Sequence, residues 1–232
     1  MHTAHRLTAA VALAGVTALG LSGCVTKPPR AFPDVPNAQS LDKSVTALRS
    51  ASSFTVSGKT LAKGVATQVN LSISKTGECK GTMSLSTGYL KVIRTRDHVF
   101  VQSDEAFART QTEGLPKEEA DQLFKDATTR WMRKEASDPV LKGLADLCDR
   151  DGMLKSFYGF LGSQQDGLTE VDGQEAVTIT APKHVFRVAA KGEPYLLKVT
   201  AAGPEGIDLA YTGINQPVQV DVPAEADVYE VD

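Results

Sequence analysis

Cysteine, tryptophan and histidine are scarce in this chain: three, one and four in 232 residues. There is no Cys-x-x-Cys, and beyond residue 24 only His98 and His184 remain. The usual ligand sets for zinc therefore have no source, and no metal is expected. Gly-x-Ser-x-Gly, Gly-x-x-x-x-Gly-Lys and a dinucleotide fingerprint are all missing, and Gly162-Ser163-Gln164 lacks the frame of a nucleophile turn. No cofactor is expected. Net charge is −3 at pH 7 and no basic block occurs, which argues against nucleic acid as a partner. The longest apolar segment, Leu7 to Leu21, is shorter than the ~20 residues a membrane span needs. What remains, 41% hydrophobic with 6% aromatics, is the composition of one globular domain.

The opening is informative. Met1 to Arg6 is weakly basic, Leu7 to Leu21 is apolar, and Ser22-Gly23 are small. That is the layout of a secretory signal. Cys24 directly after Leu21-Ser22-Gly23 makes it resemble a bacterial lipobox. The resemblance implies cleavage after residue 23, a diacylglyceryl group on Cys24, and anchoring at the extracytoplasmic face of the cell membrane. The alternative is an ordinary secretory signal with a chance cysteine. No arginine pair precedes the apolar run, which favours export of an unfolded chain over twin-arginine export.

With Cys24 lipidated, Cys79 and Cys148 remain. An even pair in an exported protein reads as a disulfide, with two separate buried thiols as the alternative. Residues 24–39 carry Pro28, Pro29, Pro33 and Pro36 without apolar periodicity and read as an extended tether, about 40 Å long at ~3 Å per residue. The ordered domain is then 40–232.

Its first element is expected to be a helix capped by Ser40, with Leu41, Val45 and Leu48 on one face. The period then falls to two. Val69, Leu71 and Ile73 alternate with Asn70, Ser72 and Ser74, and similar runs surround Phe54, Met83, Tyr89 and Val99, predicting about five antiparallel strands. Helices are expected from Pro116, from Asp138-Pro139, and over Met153 to Leu161. Strands return beyond a hairpin turn at Val171-Asp172-Gly173-Gln174, through Val177, Val185, Tyr195 and Ile207, and again over Val218, Val220 and Val222. The acidic tail beyond Ala224 is expected to be solvated. Strands follow strands without intervening helices, so the fold class is α+β with an antiparallel sheet of about nine or ten strands. The central helices cover its apolar face.

Ala47-Leu48-Arg49-Ser50-Ala51-Ser52-Ser53-Phe54, Gly77-Glu78-Cys79-Lys80-Gly81-Thr82, Trp131-Met132-Arg133-Lys134, Val171-Asp172-Gly173-Gln174 and Gly192-Glu193-Pro194-Tyr195-Leu196-Leu197-Lys198-Val199 occur in this order. Together with the lipobox they make the chain similar to actinobacterial lipoproteins of the LppX/LprAFG type, which share a fold with the periplasmic carriers LolA and LolB. That resemblance implies a half-open antiparallel barrel wrapped over helices, with an apolar cavity for acyl chains of a lipid or lipoglycan. Val69, Leu71, Ile73, Leu85, Ile93, Leu144, Phe157, Leu161, Val188 and Leu197 are candidate cavity walls, or else members of a filled core. The alternative function is a filled domain that docks an envelope protein partner.

Few residues suggest chemistry. Asp149 and Asp151 read as acids at a helix start. His98 beside Asp97 reads as a polar turn. Trp131 reads as packing at a strand start, within a basic spot of Arg130, Arg133 and Lys134 that could meet anionic head groups or simply be solvated. No catalysis is expected.

Overall fold

The computed structural model describes residues 37–62, 65–203 and 206–231. The signal segment, Cys24 and the tether up to Pro36 lie outside the described residues.

Helix α1 spans Asn37–Ser50, beginning directly after the last proline of the tether and ahead of Ser40. Ser40 is therefore no cap. It lies fully buried on the inner face with Leu41, Ser44, Val45 and Leu48. The Ser44 hydroxyl donates to the Leu41 carbonyl at 2.7 Å, which lets a polar side chain sit on that apolar stripe.

A meander follows: β1 Ser53–Ala62, β2 Val65–Ser74, β3 Cys79–Leu85, β4 Gly88–Arg94 and β5 His98–Ser103. Two helices, α2 Glu105–Thr112 and α3 Lys117–Thr129, lead to β6 Trp131–Glu135, which pairs with β5. Short helices α4 Lys142–Leu147 and α5 Arg150–Lys155 come next. A second meander, β7 Gln164–Val171, β8 Gln174–Thr180, β9 His184–Ala189, β10 Leu196–Ala201 and β11 Ile207–Thr212, brings β11 back against β1. Finally β12, Val228–Tyr229, lies parallel to β6. The result is one unclosed 12-stranded sheet, ordered β12-β6-β5-β4-β3-β2-β1-β11-β10-β9-β8-β7.

One face of this sheet is apolar along nearly its whole width. Phe54, Val56, Leu71, Ile73, Val99, Ile179, Phe186, Val188, Leu196, Val199 and Tyr211 form one cluster with Leu41, Val45 and Leu48 of α1 and with Cys148, Leu154 and Phe157 around α4 and α5. Cys79 and Cys148 are disulfide-bonded, with Cα atoms 5.7 Å apart, and clip the α4–α5 turn to β3. The Asp172-Gly173 turn has φ of 50° and 79°, the doubly positive pair that a two-residue hairpin requires. Gly58 and Gly81 sit where strands approach closely. A Cβ on either would lie 1.9 Å from a carbonyl oxygen of the neighbouring strand, Asp208 or Asn70.

The structure corrects several expectations. Among the described residues the sheet has 12 strands, not about nine or ten. The helix expected at Asp138-Pro139 starts only at Lys142, because the Asp138 carboxylate accepts from the Val140 amide at 2.7 Å and holds a turn there. The next helix ends at Lys155, and Gly159 and Gly162 follow with positive φ. Residues 218–222 form no strand. The acidic tail is not free: Glu225 and Glu230 both bind Arg133, and Val228 is buried.

That last stretch is a strap across the outer face. Asn215 N–H donates to Ser53 O on β1, and Ser53 Oγ donates to Gln216 O. Asp221 approaches Lys80 of β3 at 3.9 Å, and the strap ends on β6.

Candidate functional site

Between the inner face of the sheet and α4–α5 lies an apolar cavity of about 320 Å³. Its floor is Val56 of β1, Val69 and Leu71 of β2, and Ile207 and Leu209 of β11. Its roof is Leu147, Met153 and Phe157. Thr60, Asp146 and Ser156 supply its few polar atoms. This volume sits at the lower end of the ~300–1,000 Å³ of small-molecule pockets, and the lining is the mostly apolar kind such pockets use.

Of the ten candidate wall residues, Val69, Leu71 and Phe157 line this cavity. Ile73 and Val188 are fully buried in the filled core, and Leu85 and Leu144 are half-buried against it. Three lie elsewhere. Ile93 faces the outer side, in a shallow groove with Asn70, Ser72, Lys80, Lys91 and Trp131. Leu197 belongs to a separate small cluster with Ala176 and Ala189, because the β-bulge between Leu196 and Lys198 shifts the alternation. Leu161 is 84% exposed. Val56, Leu147, Met153, Ile207 and Leu209 also line the cavity. Each sits on an apolar stripe, but no sequence signal separates a cavity wall from a core residue.

A second, polar cavity of about 620 Å³ lies beside the first. Asp146 lines both. Around the second stand Arg49, Lys75, Arg94, Arg150, Asp149 and Asp151, with Cys148 of the disulfide. The Arg49 guanidinium grips Asp151 through two bonds of 2.7 and 2.9 Å, which holds the Asp151 carboxyl below the usual carboxylate range. Asp149 caps α5 by accepting from the Asp151 amide. Asp146 accepts from Lys142. Arg150 is 6% exposed. Its Nη2 donates to the Leu48, Arg49 and Ala51 carbonyls at the end of α1, and its guanidinium carbon lies 5.2 Å from the Phe54 ring centroid. Burial lowers its pKa.

The remaining singled-out residues have structural partners. His98 opens β5, with its imidazole 3.4 Å from Glu135. Trp131 opens β6. Arg130 binds Asp126 and the Val228 carbonyl, and Lys134 donates to the Val231 carbonyl. The basic spot is thus engaged by the strap. Among the described residues no cluster of three or more metal-ligating side chains occurs. No described helix is long and apolar enough to cross a membrane.

No protein-family model matches the sequence, and no curated protein is similar to it. Solved structures do match. The crystal structure of LprF from Mycobacterium bovis aligns with a TM-score of 0.56 at 11% identity, covering 81% of this chain and 97% of that one. An uncharacterized conserved protein from Thermus thermophilus aligns with a TM-score of 0.35 at 8% identity over 83% of this chain and 98% of that one. The MucA/MucB complex of Pseudomonas aeruginosa aligns at 0.31 and 13% identity, over 82% of this chain and 59% of that one. The chain therefore folds like LprF, in agreement with the resemblance read from the sequence.

Proposed function

We propose that this chain is an envelope lipoprotein, anchored through Cys24 at the extracytoplasmic face of the cell membrane, whose domain is a half-open barrel that holds an acyl chain between sheet and helices. The observation that carries this reading is the 320 Å³ apolar cavity under α4–α5 in an LprF-like fold. An acyl chain entering it gains roughly 0.8 kcal/mol per buried methylene. Binding and release need no nucleophile and no acid–base pair.

Native mass spectrometry on the full chain carrying Cys24→Ser tests the reading, since no acyl group attached at residue 24 then adds mass. A co-purifying or added amphiphile should be retained and dissociate as lipid. Leu147→Trp, which fills the roof, should abolish the adduct without changing the fold by circular dichroism. A clean protein mass after incubation with diacyl lipids would end the lipid reading.

A second reading, docking of an envelope protein, draws on the edge of the sheet. Among the described residues β7 pairs only with β8, and it carries Leu168, 43% exposed, which is an edge open to strand addition. A co-purifying protein and no lipid would select it.

A further inference from the structure

The polar cavity next to the apolar one is lined by more cationic groups than its acids engage. Among the described residues, Lys75 and Arg94 form no ion pair. Arg94 projects from the inner face of β4 directly opposite Cys79, and its Nε is buried with no hydrogen-bond partner among the described residues. Arg150, more than nine-tenths buried, likewise leaves Nε and Nη1 unpartnered there. Both side chains line the cavity, and buried N–H donors that lack an acceptor are costly. The acids nearby are already held: Asp151 by Arg49, Asp146 by Lys142, and Asp149 by the α5 amide.

Resting on the lipid reading above, we propose that the cavity bounded by Lys75, Arg94 and Arg150 receives the phosphate group of an anionic amphiphile whose acyl chain lies in the adjoining apolar cavity. Guanidinium groups suit a phosphate because they offer paired N–H donors to two of its oxygens. Asp146 marks the join, since it lines both cavities. The ligand so defined is a phosphodiester lipid with its chain under Met153 and Phe157 and its head beside the disulfide. A neutral glyceride would leave the arginines unpaired.

The experiment compares three probes on the full chain carrying Cys24→Ser: phosphatidylglycerol, diacylglycerol of the same acyl composition, and inorganic phosphate. Retention is read by native mass spectrometry, and phosphate binding by the shift in thermal midpoint. Phosphatidylglycerol should be retained about tenfold better than diacylglycerol, the factor one charge-assisted contact of ~1.4 kcal/mol supplies. Arg94→Gln and Lys75→Gln should each erode that preference while leaving diacylglycerol retention unchanged. Lys75 is an exposed loop residue, so its variant keeps the test valid if Arg94→Gln misfolds. Equal retention of the two lipids, insensitive to both substitutions, overturns the phosphate inference and leaves the lipid reading standing. A phosphate-induced shift with neither lipid retained assigns the cavity to a free anion and overturns both. Retention of neither lipid with no phosphate shift also overturns both.

Discussion

Arg150 reaches three carbonyls with one nitrogen, those of Leu48 and Arg49 in the last turn of α1 and of Ala51 just beyond it, where helix carbonyls run short of intrahelical donors. Arg150→Met keeps the volume and removes the donors. It should lower stability by about 2 kcal/mol, measured by urea unfolding. Asp151 makes a different, pH-dependent contribution. Its folded pKa is depressed by the bond to Arg49, so its stabilisation is present above the unfolded value of ~3.9 and is lost as pH falls through the folded value. The thermal-midpoint gap between the parent and Asp151→Asn should therefore be steady near neutrality and shrink below about pH 4. Both side chains of this pair are more than half exposed, so the gap is small throughout. A gap that widened in acid would contradict the assignment.

At the scale of elements, legibility followed one-sidedness. β2 was plain because Val69, Leu71 and Ile73 are buried while Asn70 and Gln68 face water. Helix α2 buries only Ala108, so it has no stripe to read. Its one signal was Asp104, whose carboxylate accepts from the Phe107 amide at 2.8 Å. β12 is two residues long and pairs with a strand far away in sequence, which leaves no period at all. The candidate site was legible only as apolar stripes. Leu71 on a cavity wall and Ile73 in the filled core belong to the same alternation, so the pattern alone does not separate them. The glycines of the strands carry information that composition hides. Gly81→Ala would set a Cβ 1.9 Å from the Asn70 carbonyl at φ +154°. It should cost roughly 2–3 kcal/mol and lower the thermal midpoint accordingly.

For the whole molecule, the disulfide and the strap tie regions that the sheet alone does not. Cys79 and Cys148 are separated by 69 positions, and a loop of that length predicts about 4 kcal/mol from chain entropy. Reduction, or Cys79→Ala with Cys148→Ala, should lower stability by a comparable amount and loosen α4–α5, which roof the apolar cavity. Hydrogen exchange should show that loosening first at Leu147 to Phe157. Glu225→Ala with Glu230→Ala removes both carboxylates that hold Arg133. Amide protection should then fall in β6 and β12 and stay unchanged in β8 and β9, at the opposite side of the sheet. Loss of protection across every strand would mean that the strap organises the whole fold.

The pairing of Thr55 with Thr212 also sets a schedule. A chain delivered N-terminus first presents β1 long before its second neighbour exists. α1, whose apolar face rests on β9 and β10, waits as long for its cover. Contacts so distant in sequence form slowly, and here they cannot form at all until β9, β10 and β11 have emerged. On the envelope reading proposed above, a chain threaded unfolded through an export channel would be kept from locking midway, because the strands that close over β1 and α1 come late in the sequence.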